Sequence, residues 1–314
     1  MAYTFQELTT AITPTSLYRG EMVYDITRSR VVFPPTQPST DGLTWEFYAN
    51  DWHSVSTATT PPNQGDYGAC YDAANNVTAT YYHLLDGNDT RQTWTYDGAD
   101  WTLIWSEQAY PVDNVVNQPK VSSPEMVYVD TMGVVLLVGT DDTSIDFQTW
   151  TWDGTTWTEL SPATSPPGEI EFSMAYDSVR DRVVLVTRKS SGVGADTWEW
   201  DGTDWTKILS SSPVQFGGTS MAFDATIAKC VLVIPDLLAA SNPVYTYAGS
   251  AWASEGSSGP GGTWHQIAYF PPYAGVVLFG GYDSSAHPGE GDPRTWVAET
   301  RTIINFVPQI YRRL

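Results

Sequence analysis

Thr149-Trp150-Thr151-Trp152-Asp153-Gly154-Thr155-Thr156-Trp157 decides the fold, because the chain keeps returning to it. A near copy runs Thr197-Trp198-Glu199-Trp200-Asp201-Gly202-Thr203-Asp204-Trp205, and looser ones run from Trp45 to Trp52, Trp94 to Trp101 and Tyr245 to Trp252. A sixth starts at Trp296 without a second Trp seven residues later. The leading aromatic residues lie 49, 56, 48, 47 and 51 positions apart. In the first five copies a further aromatic follows two positions on, at Phe47, Tyr96, Trp152, Trp200 and Tyr247. Side chains two apart on a strand share a face. The Asp-Gly pairs at 97–98, 153–154 and 201–202 supply the positive φ of a tight hairpin turn, which brings the second Trp onto that same face. Ten of the fourteen Trp occupy the first and last positions of this motif, so the Trp content reports core packing. A period near 50 with no helical pattern inside it predicts an all-β ring of repeated sheets, a β-propeller with six blades.

A second unit precedes the first by about 24 residues: Met22-Val23-Tyr24-Asp25, Met126-Val127-Tyr128, Met174-Ala175-Tyr176-Asp177 and Met221-Ala222-Phe223-Asp224. Weaker forms are Ala69-Cys70-Tyr71-Asp72 and Ile267-Ala268-Tyr269. After a short polar turn, which the Asp is placed to cap, comes an apolar run such as Val183 to Val186 or Val231 to Ile234. Short β-branched runs of this kind read as strands covered on both faces. Each blade is therefore four antiparallel strands. Blades are expected near 22–56, 69–105, 126–160, 174–209, 221–254 and 265–300. Phe5 precedes Met22 by 17 residues, as Trp157 precedes Met174. Residues 3–8 thus supply the fourth strand that the sixth blade lacks, and the N-terminal strand closes the ring in the last blade. Such closure removes an exposed sheet edge. Residues 1–300 form a single propeller on this reading, followed by a separate arm at 301–314.

The pattern Met-Ala-Tyr-Asp-x2-Arg-x-Arg-Val-Val, a Gly-Gly pair after the second strand, and Thr-Trp-x-Trp-Asp-Gly-x-x-Trp resembles bacterial kelch repeats from about residue 3 to residue 300. Only the sixth blade keeps the doublet, as Gly280-Gly281. The resemblance implies a six-bladed kelch-like propeller. It does not carry a function, because propellers of that family include enzymes, adaptors and carbohydrate binders.

Composition narrows the partners. A net charge of −21, with four Lys among the 15 basic residues, argues against nucleic acid and against anionic membrane surfaces. No apolar run is long enough to span a membrane, and no basic-then-apolar leader opens the chain, so the expected location is the cytoplasm or a particle such as a virion. Cys70 and Cys230 fall in opposed blades, too far apart for a disulfide.

Turns after the first and third strands are short and uniform, whereas the loops and interblade links at the other end of the strands are long and irregular. Variable loops on a regular scaffold usually hold specificity, so this face is the expected binding face for a protein partner or a glycan. Residues just before the first strand of each repeat should surround the mouth of a central channel. Glu21 and Glu125 share one repeat position there, and Arg19 and Glu171 another. They are expected either as solvated rim groups or as a polar mouth for a sugar, a cation or a basic peptide; a carboxylate pair also suits acid–base glycoside hydrolysis. Trp264 and His265 stand at the same level. Arg91 and Arg294 flank a blade Trp, placed either to clamp an acidic ligand or to pair with Asp89 and Asp292. Asp141, Asp142 and Asp146 are hard oxygen donors of the kind a structural calcium takes, without the spacing of the helical calcium loop. No other cofactor is expected. The four His show no metal-ligand spacing, and no Gly-x-Ser-x-Gly elbow or phosphate-binding Gly loop occurs.

The last segment differs in kind. Residues 301–314 hold three Arg, no acid and seven apolar side chains. Ile303, Phe306, Ile310, Tyr311, Arg312 and Arg313 compose an arm suited to fold back on the acidic body or to dock on another subunit. The leading functional expectation is a non-enzymatic recognition propeller, held in an assembly such as a virion by this arm. The alternative is a carbohydrate-binding or carbohydrate-active propeller with its site at the channel mouth.

Overall fold

The computed structural model describes residues 3, 5–14, 21–35, 42–62, 65–84, 86, 90–108, 118–141, 146–168, 171–189, 194–212, 218–281 and 294–299. They form six four-stranded antiparallel sheets arranged as the blades of a propeller. The first blade is Val23–Asp25, Arg30–Phe33, Thr44–Tyr48 and Asp51–Val55; the third is Val121–Val129, Val134–Asp141, Phe147–Trp152 and Trp157–Leu160. In the sixth, Gln266–Phe270, Gly275–Phe279 and Thr295–Glu299 are completed by Phe5–Leu8, with Phe5 opposite Ala298 and Leu8 opposite Thr295. The N-terminal strand therefore closes the ring as the repeat predicts.

Register explains the motif. Phe47 pairs with Trp52, Tyr96 with Trp101, Trp152 with Trp157, Trp200 with Trp205 and Tyr247 with Trp252. In the first blade strand pairing continues one step further, Tyr48 to Asp51, so only Ala49 and Asn50 turn the chain, both at positive φ. The other hairpins use the wider turn, where Asp153, for example, accepts the backbone N–H groups of Thr155 and Thr156 at 2.8 Å.

Buried side chains gather in six clusters, one at each junction between neighbouring blades. Five of the six junctions are also bolted by an indole. Trp101 Nε1 donates to Thr44 Oγ1 at 2.7 Å, Trp157 to Thr93 at 2.9 Å, Trp205 to Thr149 at 3.0 Å, Trp252 to Thr197 at 2.9 Å and Trp52 to Thr295 at 2.9 Å. The Thr in Thr-Trp-x-Trp is thus the acceptor for the next blade's outer Trp. At the sixth junction the Trp position is Phe5, which has no N–H, and the Thr position is Val244, which has no acceptor. Both belong to one apolar cluster. A buried N–H without a partner costs about 1–3 kcal/mol, so the two departures match.

Asp25, Asp72, Asp177 and Asp224 are all buried and cap the turn after the first strand, as read from the sequence. The remaining blades use other means: Gly133 N–H donates to the Val129 carbonyl at 2.9 Å, and a short 3-10 turn fills Pro271–Tyr273. The fifth blade departs from expectation. Its outer strands run Asp236–Tyr247 and Trp252–Gly262, so residues expected as a link at 254–264 are largely strand.

Candidate functional site

The first strands of all six blades enclose a central cavity of about 780 Å3. Repeat register places its wall in layers. At one end lie Glu21, Asp66, Glu125, Glu171, Trp264 and His265; at the other lie Tyr24, Tyr71, Tyr128, Tyr176, Phe223 and Tyr269. Five of the residues singled out in the sequence are therefore brought to one place: Glu21, Glu125, Glu171, Trp264 and His265. Arg19 lies outside the described residues.

Inner strands expose one edge to the bore, and unpaired edge N–H groups need acceptors. The carboxylates meet this need across blade junctions. Glu21 accepts the N–H of Ala69 on the second blade through Oε2, while its own N–H donates to the Tyr67 hydroxyl at 2.8 Å. Glu125 accepts the N–H of Met174 on the fourth blade. Ala69 and Met174 occupy equivalent repeat positions, so both contacts are the same bridge repeated two blades apart. Both residues are half-buried in the channel wall, each carboxyl tied to the backbone of a neighbouring blade. Burial and then repulsion from Glu125 hold Glu21 well above the usual carboxylate range, partly offset by the Ala69 N–H. Burial likewise pushes Glu125 up to about 8 against the opposing Met174 bond. Glu171 is different: it pairs with Arg188 at 2.9 Å.

Between the two bridges stands Gly68. A Cβ there would sit 2.9 Å from the Pro124 carbonyl oxygen and 3.0 Å from Met126 Cγ, so a glycine lets the second and third blades close up beside Glu125. Trp264 packs its indole edge over the backbone of Gly218, where no side chain fits. His265 is buried and meets Trp296 edge-on with ring centroids 5.8 Å apart. Cys70 also lines the cavity as a free, buried thiol, its pKa raised by burial and by Asp72 and Glu21; Cys230 is free and buried in the fifth blade.

Other singled-out residues stay away from this cavity. Arg91 is buried in the third strand of the second blade, opposite His83 and Glu107. Arg294 lies 5.0 Å above the Trp296 ring and 3.9 Å from Glu7, the latter a loose ion pair worth little at an exposed site. Asp89 and Asp292 lie outside the described residues, as do Asp142 and the whole segment 301–314, including Ile303, Phe306, Ile310, Tyr311, Arg312 and Arg313. Asp141 accepts the Gln148 amide at 2.9 Å, and its N–H donates to the Asp146 carbonyl at 2.8 Å. Among the described residues no group of three His, Cys, Asp or Glu is arranged to hold a metal.

Sequence reading missed Asp66 and the tyrosine layer. Asp66 stands three residues before Ala69, as Glu171 stands three before Met174, so the register already contained it. The tyrosines were visible as strand residues. Their hydroxyls reach turns of neighbouring blades: Tyr71 to Thr27 at 2.5 Å and Tyr269 to Thr226 at 3.2 Å.

No family model matches the chain, and no curated protein sequence matches it. Similarity is to solved propeller structures. The SapL1 lectin in complex with alpha methyl fucoside aligns over 90% of this chain and 96% of its own at 15% identity, TM-score 0.54. The six-bladed fungal lectin from Aleuria aurantia aligns over 94% and 100% at 14% identity, TM-score 0.53. A putative gluconolactonase aligns over 95% and 92% at 12% identity, TM-score 0.57. At such identities the likeness is one of fold.

Proposed function

We propose that this chain is a non-enzymatic, kelch-like recognition propeller whose ligand is a carbohydrate seated at the mouth of the central channel. The observation that carries this reading is the make-up of one cavity: Glu21, Asp66, Glu125 and Glu171 converge with Trp264 in a space of about 780 Å3. Carboxyl groups give a polyhydroxylated ligand strong acceptors, and those held protonated donate as well. An indole supplies the apolar face against which a sugar's C–H surface packs. Recognition is favoured over hydrolysis because both carboxyls are tied to backbone N–H groups of a neighbouring blade. The fold accommodates such a role: the SapL1 structure contains alpha methyl fucoside, and the Aleuria lectin is described by its mode of fucose recognition.

The test is binding of the full chain to a panel of immobilised glycans, beside Trp264→Ala. Wild type is expected to retain a subset of the panel, and the variant to bind those glycans about tenfold more weakly, a loss of about 1.4 kcal/mol, with its melting temperature little changed. A wild-type chain that retains no glycan overturns the reading. Release of free sugar from the panel would turn it from recognition to catalysis.

A further inference from the structure

The charge on the cavity wall is one-sided. The wall is built from all six blades and carries four carboxyl groups, Glu21, Asp66, Glu125 and Glu171, yet among the described residues that line it there is no Lys or Arg. Arg188, beside the wall, is engaged by Glu171 at 2.9 Å. Glu21 and Glu125 sit on one continuous path of contacts. Glu21 holds the Ala69 N–H, Ala69 follows Gly68, and Gly68 lies against Pro124, the neighbour of Glu125. The aromatic member of the wall, Trp264, adds a π face, which also attracts cations.

Resting on the carbohydrate reading above, we propose that the channel selects amino sugars over their neutral counterparts, with the ligand's ammonium group seated between Glu21 and Glu125. An ammonium is a compact donor of three hydrogen bonds, and each carboxylate keeps lone pairs free beyond the one its backbone N–H occupies. A single positive charge relieves the repulsion that the pair otherwise carries on ionising. A neutral hydroxyl in the same place does not.

Proton linkage makes this measurable. Without ligand both carboxyls are held above the usual carboxylate range, Glu21 by burial and then repulsion from Glu125, and Glu125 by burial, up to about 8. Seating an ammonium draws at least one of them into the ionised form, so a proton leaves on binding. Affinity for the amino sugar should then rise by up to about tenfold per pH unit between about pH 5 and 7, where the free carboxyl is protonated and the amine charged. The other ionisable groups facing this pair are Asp66, Tyr67 and Cys70 on the second blade, Glu171 with Arg188 on the fourth and His265 on the sixth. A contribution from these groups is removed by using the Gln variants as reference.

The experiment is calorimetric titration of the full chain with glucosamine, N-acetylglucosamine and glucose, or with the glycans carrying those units. It is run at several pH values and in buffers of different ionisation enthalpy. Expected at neutral pH is at least tenfold tighter binding of the amine than of either neutral form, with proton release and an advantage that shrinks toward pH 5. Glu21→Gln combined with Glu125→Gln should abolish the pH slope, the proton release and the preference, the last read as the ratio of amine to neutral-sugar affinity. Equal binding of all three sugars without proton release overturns the amino-sugar inference and leaves the carbohydrate reading standing. Binding of none of them, on a chain that melts cooperatively, overturns the amino-sugar inference, and the carbohydrate reading falls with it only if the glycan panel is also empty. Calcium binding without sugar that the same double variant abolishes would also overturn it, making the pair a metal site.

Discussion

A single residue type decides how neighbouring blades hold together. Five outer Trp donate to five Thr on the preceding blade, and the sixth junction replaces both partners at once with Phe5 and Val244. The physical reason is asymmetric cost: an orphaned buried donor or hydroxyl is penalised, whereas two apolar groups are not. Phe5→Trp alone should therefore destabilise the chain by about 1–2 kcal/mol. Val244→Thr alone should cost a similar amount, and the double variant should recover most of the loss. Urea unfolding of the four proteins checks this; strictly additive effects would show that the two positions are uncoupled. Sequence made the Trp legible as core but left the Thr as filler. Its partner lies 64 residues away for Thr93 and 243 away for Thr295, and only the closed ring brings them together. The same holds for Glu21 and Glu125. Their shared repeat position was legible, but their ties to the neighbouring blade were not, because these depend on how closely blades pack at Gly68.

In four blades the first hairpin turns on a buried Asp, at Asp25, Asp72, Asp177 and Asp224. In the fourth blade Asp177 accepts the backbone N–H groups of Val179 and Arg180 at 3.1 Å and the Arg180 side chain at 2.7 Å, while Arg180 also reaches Glu199 at 2.6 Å. Tyr247 of the next blade donates to the same Glu199 at 2.9 Å. An equivalent set, Asp25, Arg28, Glu46 and Tyr96, recurs in the first and second blades. Asp177→Ala should cost about 3–5 kcal/mol, since it strips the turn and leaves the buried network unbalanced. Asp177→Asn keeps the turn acceptor and should cost clearly less. A thermal-unfolding series separates them, and equal losses would mean that the turn bonds contribute little. Sequence pattern located this hairpin through Asp and the β-branched run behind it. It failed at the fifth blade's outer pair, where Ser254, Gly256, Gly259 and Pro260 look like linker, yet the strands extend to Gly262 by pairing with each other through register shifts.

At the scale of the molecule, the hydrophobic stabilisation is divided among six radial junctions around a bore, and no one of them is complete without both neighbours. Removing residues 1–9 takes away the outer strand of the sixth blade, together with Tyr3, whose hydroxyl donates to Asp224 at 2.5 Å on the fifth. It bares the edge of Thr295–Glu299 and opens one junction, so the truncated chain should melt at lower temperature and self-associate through that edge. Calorimetry beside light scattering checks both, and a truncation with an unchanged melt would show that the ring does not depend on its first strand. Six blades, their order and the closing strand were all legible from period alone, because each repeat prints the same turn and aromatic residues. What the bore binds was less so, since binding groups break the repeat instead of following it. Closure by the N-terminus has a further consequence during synthesis. The strand made first waits, without a partner, until Thr295–Glu299 leaves the ribosome. Five blades can assemble as they emerge, but the circle is sealed only once Thr295–Glu299 has been made. A product terminated before Thr295 is therefore left with Phe5–Leu8 unpaired and its sixth blade incomplete.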